Sequence, residues 1–161
     1  MATGDMFLKL EGIEGESPDE AHKTQIQILS FSWGVSNSGS GGVGSGSGVG
    51  KASLSDVSVM KLVDKSSPNL FINCCTGKHI SKATIYVRKA GEKPQEYETI
   101  TMDEVLISSF QQSASDGGGL PTESVSLNFS KIKFEYKAQK ADGTLDAAIP
   151  KTYDVKANVA S

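Results

Sequence analysis

The chain is poor in the residues on which common metal and disulfide sites depend. Its 161 residues include two histidines, His22 and His79, and two cysteines, Cys74 and Cys75, which are adjacent. Adjacent cysteines rarely meet disulfide geometry, so the sequence predicts no disulfide framework. Two separated histidines and a cysteine pair also do not supply the spaced ligands that a zinc site needs. We therefore expect no metal site and no cofactor.

Long apolar runs and an excess of positive charge are also missing. Apolar runs such as Val105–Ile107 reach about three residues, far below the roughly 20 that a membrane-spanning helix needs. Sixteen Lys and Arg against nineteen Asp and Glu give a net charge of −3, which disfavours binding to phosphate backbones. The chain opens without a basic segment followed by an apolar one, so we expect no signal peptide. The sequence predicts synthesis in the cytoplasm, with no membrane insertion and no nucleic-acid partner.

What the chain does have is a period-two pattern of apolar residues. The apolar positions switch from even to odd numbers within residues 25–35, and from odd to even within residues 125–136. A change of parity inside one strand predicts a β-bulge. Two long bulged strands predict a strongly curved sheet, and hence a single β-barrel domain over residues 1–161. We expect its last strand to cover residues 153–159.

One short helix is predicted beside the barrel. Ser66 or Ser67 can cap its first turn, Pro68 suits the first helical position, and Gly77 provides a left-handed end. The helix is about 15 Å long. Its apolar stripe is predicted to be Leu70, Phe71 and Cys74.

Residues 36–50 contain seven glycines and five serines, which predicts a flexible loop. Gly39, Gly41 and Gly44 match the spacing G-x-G-x-x-G, but a dinucleotide site needs a helix after it, and residues 54–63 alternate like a strand. A G-x-S-x-G string also lies within this loop, outside the strand–turn–helix setting of a serine hydrolase. We therefore expect a protein that is not an enzyme.

The strands are apolar on both sides, which suggests that something covers the outer side. Val57 and Val59 lie on one face of their strand, whereas Met60 and Leu62 lie on the other. A solitary barrel has one wet face, so association of subunits explains the pattern better than one short helix does. The alternative is a monomeric β-barrel that binds a small ligand inside.

Several segments of the chain resemble the haemolysin-coregulated protein (Hcp) family of the type VI secretion system. They are spread in order over the whole sequence: Asp5–Lys9, Gly15–Ser17, Ser32–Gly34, Asp64–Leu70, Gly77–His79, Val87–Gly91, Leu127–Phe129 and Tyr136–Lys140.

The resemblance implies a homohexameric ring that stacks into the inner tube of the secretion apparatus, inside its sheath and beneath its spike. It also implies that the tube is expelled from the cell and carries effector proteins in its lumen. By position, Ser32 resembles the family's cargo-binding lumen residue, and Ser30 shares its face. The loop is expected to contact an adjoining subunit or a stacked ring through Gly39, Gly41, Gly42, Val43, Gly44, Val49 and Gly50.

Overall fold

The computed structural model describes residues 5–39, 51–89, 91 and 93–161. Within these residues the chain is mainly β, as the sequence predicts, with twelve strands and one helix. The elements are β1 (Met6–Leu10), β2 (Ile26–Gln27), β3 (Ser30–Ser32), β4 (Val35–Asn37), β5 (Ala52–Leu54), β6 (Val57–Leu62), α1 (Ser67–Thr76), β7 (Ile80–Lys89), β8 (Gln95–Ser113), β9 (Thr122–Asn128), β10 (Lys131–Tyr136), β11 (Ile149–Asp154) and β12 (Val159–Ala160).

Ten of these strands form one antiparallel network with two arms that share β8. The first arm has the order β12-β11-β10-β8-β7-β1-β2, and the second arm continues from β8 through β9 and β6 to β3. The first half of β8 pairs with β7 and β10, and its second half pairs with β9. Glu104, where β8 changes partners, has a left-handed φ of 50°. The strands β4 and β5 form a separate pair.

The prediction of a closed β-barrel is wrong, because the ladder of the described strands is open between β2 and β3. The sequence predicts one bulged strand here, but β2 pairs with β1 and β3 pairs with β6. The chain crosses between the arms at Ile28, whose N–H donates to the Met6 carbonyl (3.2 Å), and Leu29, whose N–H donates to the Met60 carbonyl (2.7 Å). The change of parity therefore marks the point at which the chain crosses from the first arm to the second.

The second predicted bulge has the same explanation. The strand β9 ends at Asn128 and pairs with β6 and β8, whereas β10 begins at Lys131 and pairs with β8 and β11. The shifts of register that the structure does contain lie elsewhere, between β7 and β8 and between β8 and β9. The predicted strand over residues 153–159 is also wrong, because β11 ends at Asp154 and a turn leads back to β12.

The core lies between the two arms. Alternate side chains of the strands in both arms point into it. In β9, for example, Val125 and Leu127 are buried, whereas Ser124 and Ser126, which alternate with them, are only partly so. The buried cluster combines first-arm and second-arm residues, among them Leu8, Ile85, Ile100, Met102, Val57, Val59, Val125 and Leu127. This burial on one side leaves the opposite side of the second arm available for other contacts.

The helix ends as predicted but begins differently. Gly77 adopts a left-handed φ of 68°, and its N–H donates to the Asn73 carbonyl at 2.9 Å. Ser66 precedes the helix but makes no capping bond with its side chain, because its hydroxyl donates to the Asp64 carboxylate. The hydroxyl of Ser67 donates to a carboxylate on β9 instead of capping the helix.

The predicted apolar stripe of the helix is only partly right. Leu70 is fully buried and Cys74 packs partly against the core, but Phe71 is 53% exposed. No helix among the described residues is long and apolar enough to cross a bilayer.

Gly15 provides a test of how closely the segment before β2 approaches the sheet. A Cβ at Gly15 would lie 2.6 Å from the Gln25 carbonyl oxygen and 2.7 Å from the Ile26 Cα. We expect Gly15→Ala to lower the free energy of unfolding by roughly 1–3 kcal/mol, because backbone must move to accept the methyl group. Urea denaturation measures the loss. Gly119→Ala is the control, since a Cβ there meets nothing within 4 Å, and equal stability of the two variants would contradict the prediction.

Candidate interaction surfaces

The exposed side of the second arm carries small hydroxyl side chains. Ser30 and Ser32 are exposed on either side of the partly buried Phe31. Residues opposite each other in an antiparallel ladder share a face, so the register of β3, β6, β9 and β8 extends this surface across four strands. We call it the serine face, formed by Ser30, Ser32, Ser58, Ser109, Ser124 and Ser126, with Met60 and Gln111 among them.

Sequence reasoning places only Ser30 and Ser32 on this face. Ser124 and Ser126 alternate with buried residues of β9, so their spacing is a usable signal for a wet face. Their position beside β3 depends on the register with β6, which pairs Ser58 with both Ser32 and Ser126. The hydroxyls of Ser58 and Ser126 lie 3.2 Å apart.

Behind the serine face lies a buried charged group that sequence reasoning missed. The Lys61 ammonium, with its side chain fully buried, lies 2.5 Å from the Glu123 carboxylate and 3.0 Å from the Asp64 carboxylate. Glu123 also accepts hydrogen bonds from the Ser67 hydroxyl and the Gln112 amide, both at 2.7 Å. We call these five side chains the Lys61 cluster. It joins β6, β9 and the end of β8 to the start of α1.

The ionised form of Glu123 is favoured inside this cluster. Burial opposes its ionisation, but the hydrogen bonds from Lys61, Ser67 and Gln112 outweigh burial and hold its pKa below the usual value. The cluster is therefore an ion pair with its remaining oxygens satisfied, which is the condition for a buried charge to be tolerated.

A second buried group holds the segment between β1 and β2 against the first arm. The His22 ring stacks on Phe7 with centroids 4.3 Å apart, and the Arg88 guanidinium lies 4.8 Å from the Phe7 ring. Arg88 also donates to both oxygens of the Asp19 carboxylate. The hydrogen bond from Arg88 lowers the pKa of Asp19. This arrangement closes the outer side of β1 and β7.

Two other parts of the surface are apolar and uncovered. One is a groove of about 320 Å³ beside the chain crossing, lined by Leu29, Leu62 and Leu120, which are 55%, 39% and 63% exposed. We call it the leucine groove. The other is the β10–β11 face, formed by Phe134, Tyr136 and Ile149, which are 38%, 45% and 59% exposed. Of the two apolar residues predicted on the outer side of their strand, Met60 lies within the serine face and Leu62 lines the leucine groove, and each is 39% exposed.

The predicted glycine loop is placed only at its ends. Ser36 and Asn37 are not loop residues but belong to β4, where they pair with β5. Gly39 follows that strand with a φ of 51°, and its N–H donates to the Asn37 side chain at 3.0 Å. The other predicted contact residues lie outside the described residues: Gly41, Gly42, Val43, Gly44, Val49 and Gly50.

The part of the chain that the structure describes contains no cluster of metal-ligating side chains. No three His, Cys, Asp or Glu side chains there are grouped closely enough to hold an ion. The surfaces described above suit contacts with macromolecules.

The fold is that of solved type VI secretion proteins. A structure described as that of a type six secretion system protein has a TM-score of 0.91 to this chain at 27% identity, covering 98% of this chain and 99% of its own. Hcp1 from Salmonella typhimurium has a TM-score of 0.80 at 35% identity, covering 98% of each chain. The class of protein is thus a mainly β type VI secretion protein.

The family follows from the sequence comparisons. Residues 7–136 match the family model described as type VI secretion system effector, Hcp. Protein hcp1 of Pseudomonas aeruginosa is 46% identical over 157 residues, which cover 96% of this chain and 97% of that protein. The chain therefore belongs to the Hcp family of type VI secretion proteins, and the resemblance drawn from the sequence is confirmed.

Proposed function

We propose that this chain is the structural subunit of the type VI inner tube, assembled as hexameric rings that stack and carry effector proteins in their lumen. It does so without catalysing a reaction. The proposal rests on one observation: a chain of the Hcp family exposes a hydroxyl-lined sheet face together with two uncovered apolar surfaces. The apolar surfaces require partners, and the hydroxyl-lined face suits a wet channel.

The chemistry of the serine face supports a lumen that holds cargo reversibly. Hydroxyl groups both donate and accept hydrogen bonds and carry no charge, so they can contact proteins of either net charge. Ser30 and Ser32 are exposed at the edge of this face. Because serine side chains are small, they project little from the sheet. A bulky side chain there would extend into the space that cargo is proposed to occupy.

Partners outside the ring are proposed from the family alone. The sheath, the spike and stacked copies of the ring are the expected partners, and the expelled tube is expected to reach the medium or a target cell. Residues 36–50, with Val43 and Val49 as their apolar side chains, are proposed to contact the adjoining subunit or ring.

The assembly is tested by native mass spectrometry together with negative-stain microscopy. We expect a species of six times the 17.0 kDa protomer and annular particles in the images. A monomer that persists at high protein concentration would contradict the ring and favour the alternative, a monomeric β protein that binds a small ligand.

The lumen assignment is tested separately by Ser32→Gln. We expect intact rings that no longer co-purify with effector proteins, because the longer side chain covers the serine face. Ser81→Gln, at an exposed serine of β7 outside this face, is the matched control and should keep its cargo. Cargo retained by the Ser32 variant would show that the lumen does not include this position.

A further inference from the structure

We propose that neighbouring copies join head to tail, with the β10–β11 face of one copy seated in the leucine groove of the next. This inference rests on the proposed ring and adds which surfaces of the chain form its repeated contact. Both surfaces are apolar and uncovered in the isolated protomer, and they differ from each other in shape and charge.

The leucine groove is concave and has an acidic rim. Leu29 and Leu120 present their side chains to solvent, and the carboxylates of Glu16 and Asp64 lie among the lining residues. Asp64 is paired with Lys61 at 3.0 Å. Glu16 accepts the backbone N–H of Lys65 through one oxygen at 3.1 Å. The carboxylate of Glu16 is thus the one more open to a cation from outside.

The β10–β11 face lies on the same side of the first arm as the core residues. It is the part of that side that the second arm does not cover. In the ladder, Phe134 pairs with the buried Ile100 on one side and with Lys151 on the other. Tyr136 pairs with Ile149, so the apolar residues and Lys151 share one side of the sheet. Glu98, opposite Tyr136, is partly buried, and burial raises its pKa. Lys151 is exposed whereas Glu98 is only partly so, so the more accessible charge on this face is the Lys151 ammonium.

The two surfaces lie at opposite ends of β3. Leu29 immediately precedes β3, whereas Trp33 follows it, and the Trp33 ring lies 5.6 Å from the Phe134 ring. A contact between two different surfaces of the protomer is heterologous, and it closes into a ring when the rotation allows. The acidic rim of the groove and Lys151 on the face are complementary in charge, which favours this pairing over groove to groove or face to face.

A mixing experiment tests the inference. Leu120→Asp disables the groove, Ile149→Asp disables the face, and Phe71→Asp alters an equally exposed apolar residue on α1 as the control. We expect each of the first two variants to be a folded monomer and the control to form hexamers. An equimolar mixture of the groove and face variants, one of them ¹⁵N-labelled, should give heterodimers by native mass spectrometry, because each variant keeps one intact surface.

The outcomes separate this inference from the proposed function. Hexamers from either disabled variant, or a mixture that stays monomeric, would overturn the head-to-tail assignment while leaving the ring in place. A wild-type monomer would overturn both.

A charge exchange gives a second measurement on fully folded protein. Glu16→Lys and Lys151→Glu should each raise the dissociation constant of the ring contact about tenfold, and the double variant should recover most of the loss. Additive losses in the double variant would show that the two charges do not meet.

Discussion

Lys61→Met is expected to lower the free energy of unfolding by about 3–5 kcal/mol. The Lys61 and Glu123 side chains are fully buried, and their charged groups lie 2.5 Å apart. Methionine keeps the length of the side chain but removes the ammonium, so the Glu123 carboxylate stays buried without its counter-ion. Breaking one side of a buried pair costs far more than the pair itself contributes. Urea denaturation at pH 7 measures the loss.

The double variant Lys61→Met/Glu123→Met is the matched control. Removing both charges removes the uncompensated carboxylate, so we expect it to be more stable than Lys61→Met alone. The pH dependence gives a second check. Because the folded protein lowers the pKa of Glu123, this residue stabilises the fold above its unfolded pKa of about 4.3, and the contribution is lost as the pH falls through the folded value. The wild type should therefore lose more stability than the double variant below about pH 4.3; equal acid sensitivity would contradict this account.

The sequence predicts local structure well where one residue type determines it. Gly77 ends the helix because a left-handed residue is needed there, and the odd-numbered apolar residues Val125 and Leu127 match the alternating burial of β9. Parity is a weaker guide. A bulge and a strand that changes partners both shift the buried face by one residue, so the crossing at Ile28 and Leu29 cannot be told from a bulge without knowing the partners.

The Lys61 cluster could have been predicted from the sequence, whereas the leucine groove could not. Lys61 has the parity of the buried Val57 and Val59, and Glu123 has that of Val125, so their numbering alone places two opposite charges on the core side. That signal was usable. The leucine groove was not predictable, because Leu29, Leu62 and Leu120 come from distant segments that meet only after the register of the second arm is set.

Phe7→Ala is expected to cost about 3–5 kcal/mol of unfolding free energy and to release the segment between β1 and β2. Phe7 is fully buried and lies on the side of β1 opposite Leu8, so its partners are His22 and Arg88 rather than the core between the arms. Truncation removes the ring on which both side chains rest. Hydrogen exchange should then speed up in residues 17–25 more than in β8 or β9.

Phe7→Leu distinguishes lost packing from lost aromatic contact. Leucine fills much of the same space, so we expect it to retain more than half of the stability that alanine loses. Because Arg88 binds the Asp19 carboxylate through two hydrogen bonds, that contact should hold the segment in the leucine variant. Exchange that rises equally across the whole chain in both variants would show that Phe7 supports the entire fold and not this segment. If exchange in the alanine variant is instead faster only in residues 17–25, the Phe7 side chain and the Asp19–Arg88 pair together hold this segment against the outer side of β1 and β7.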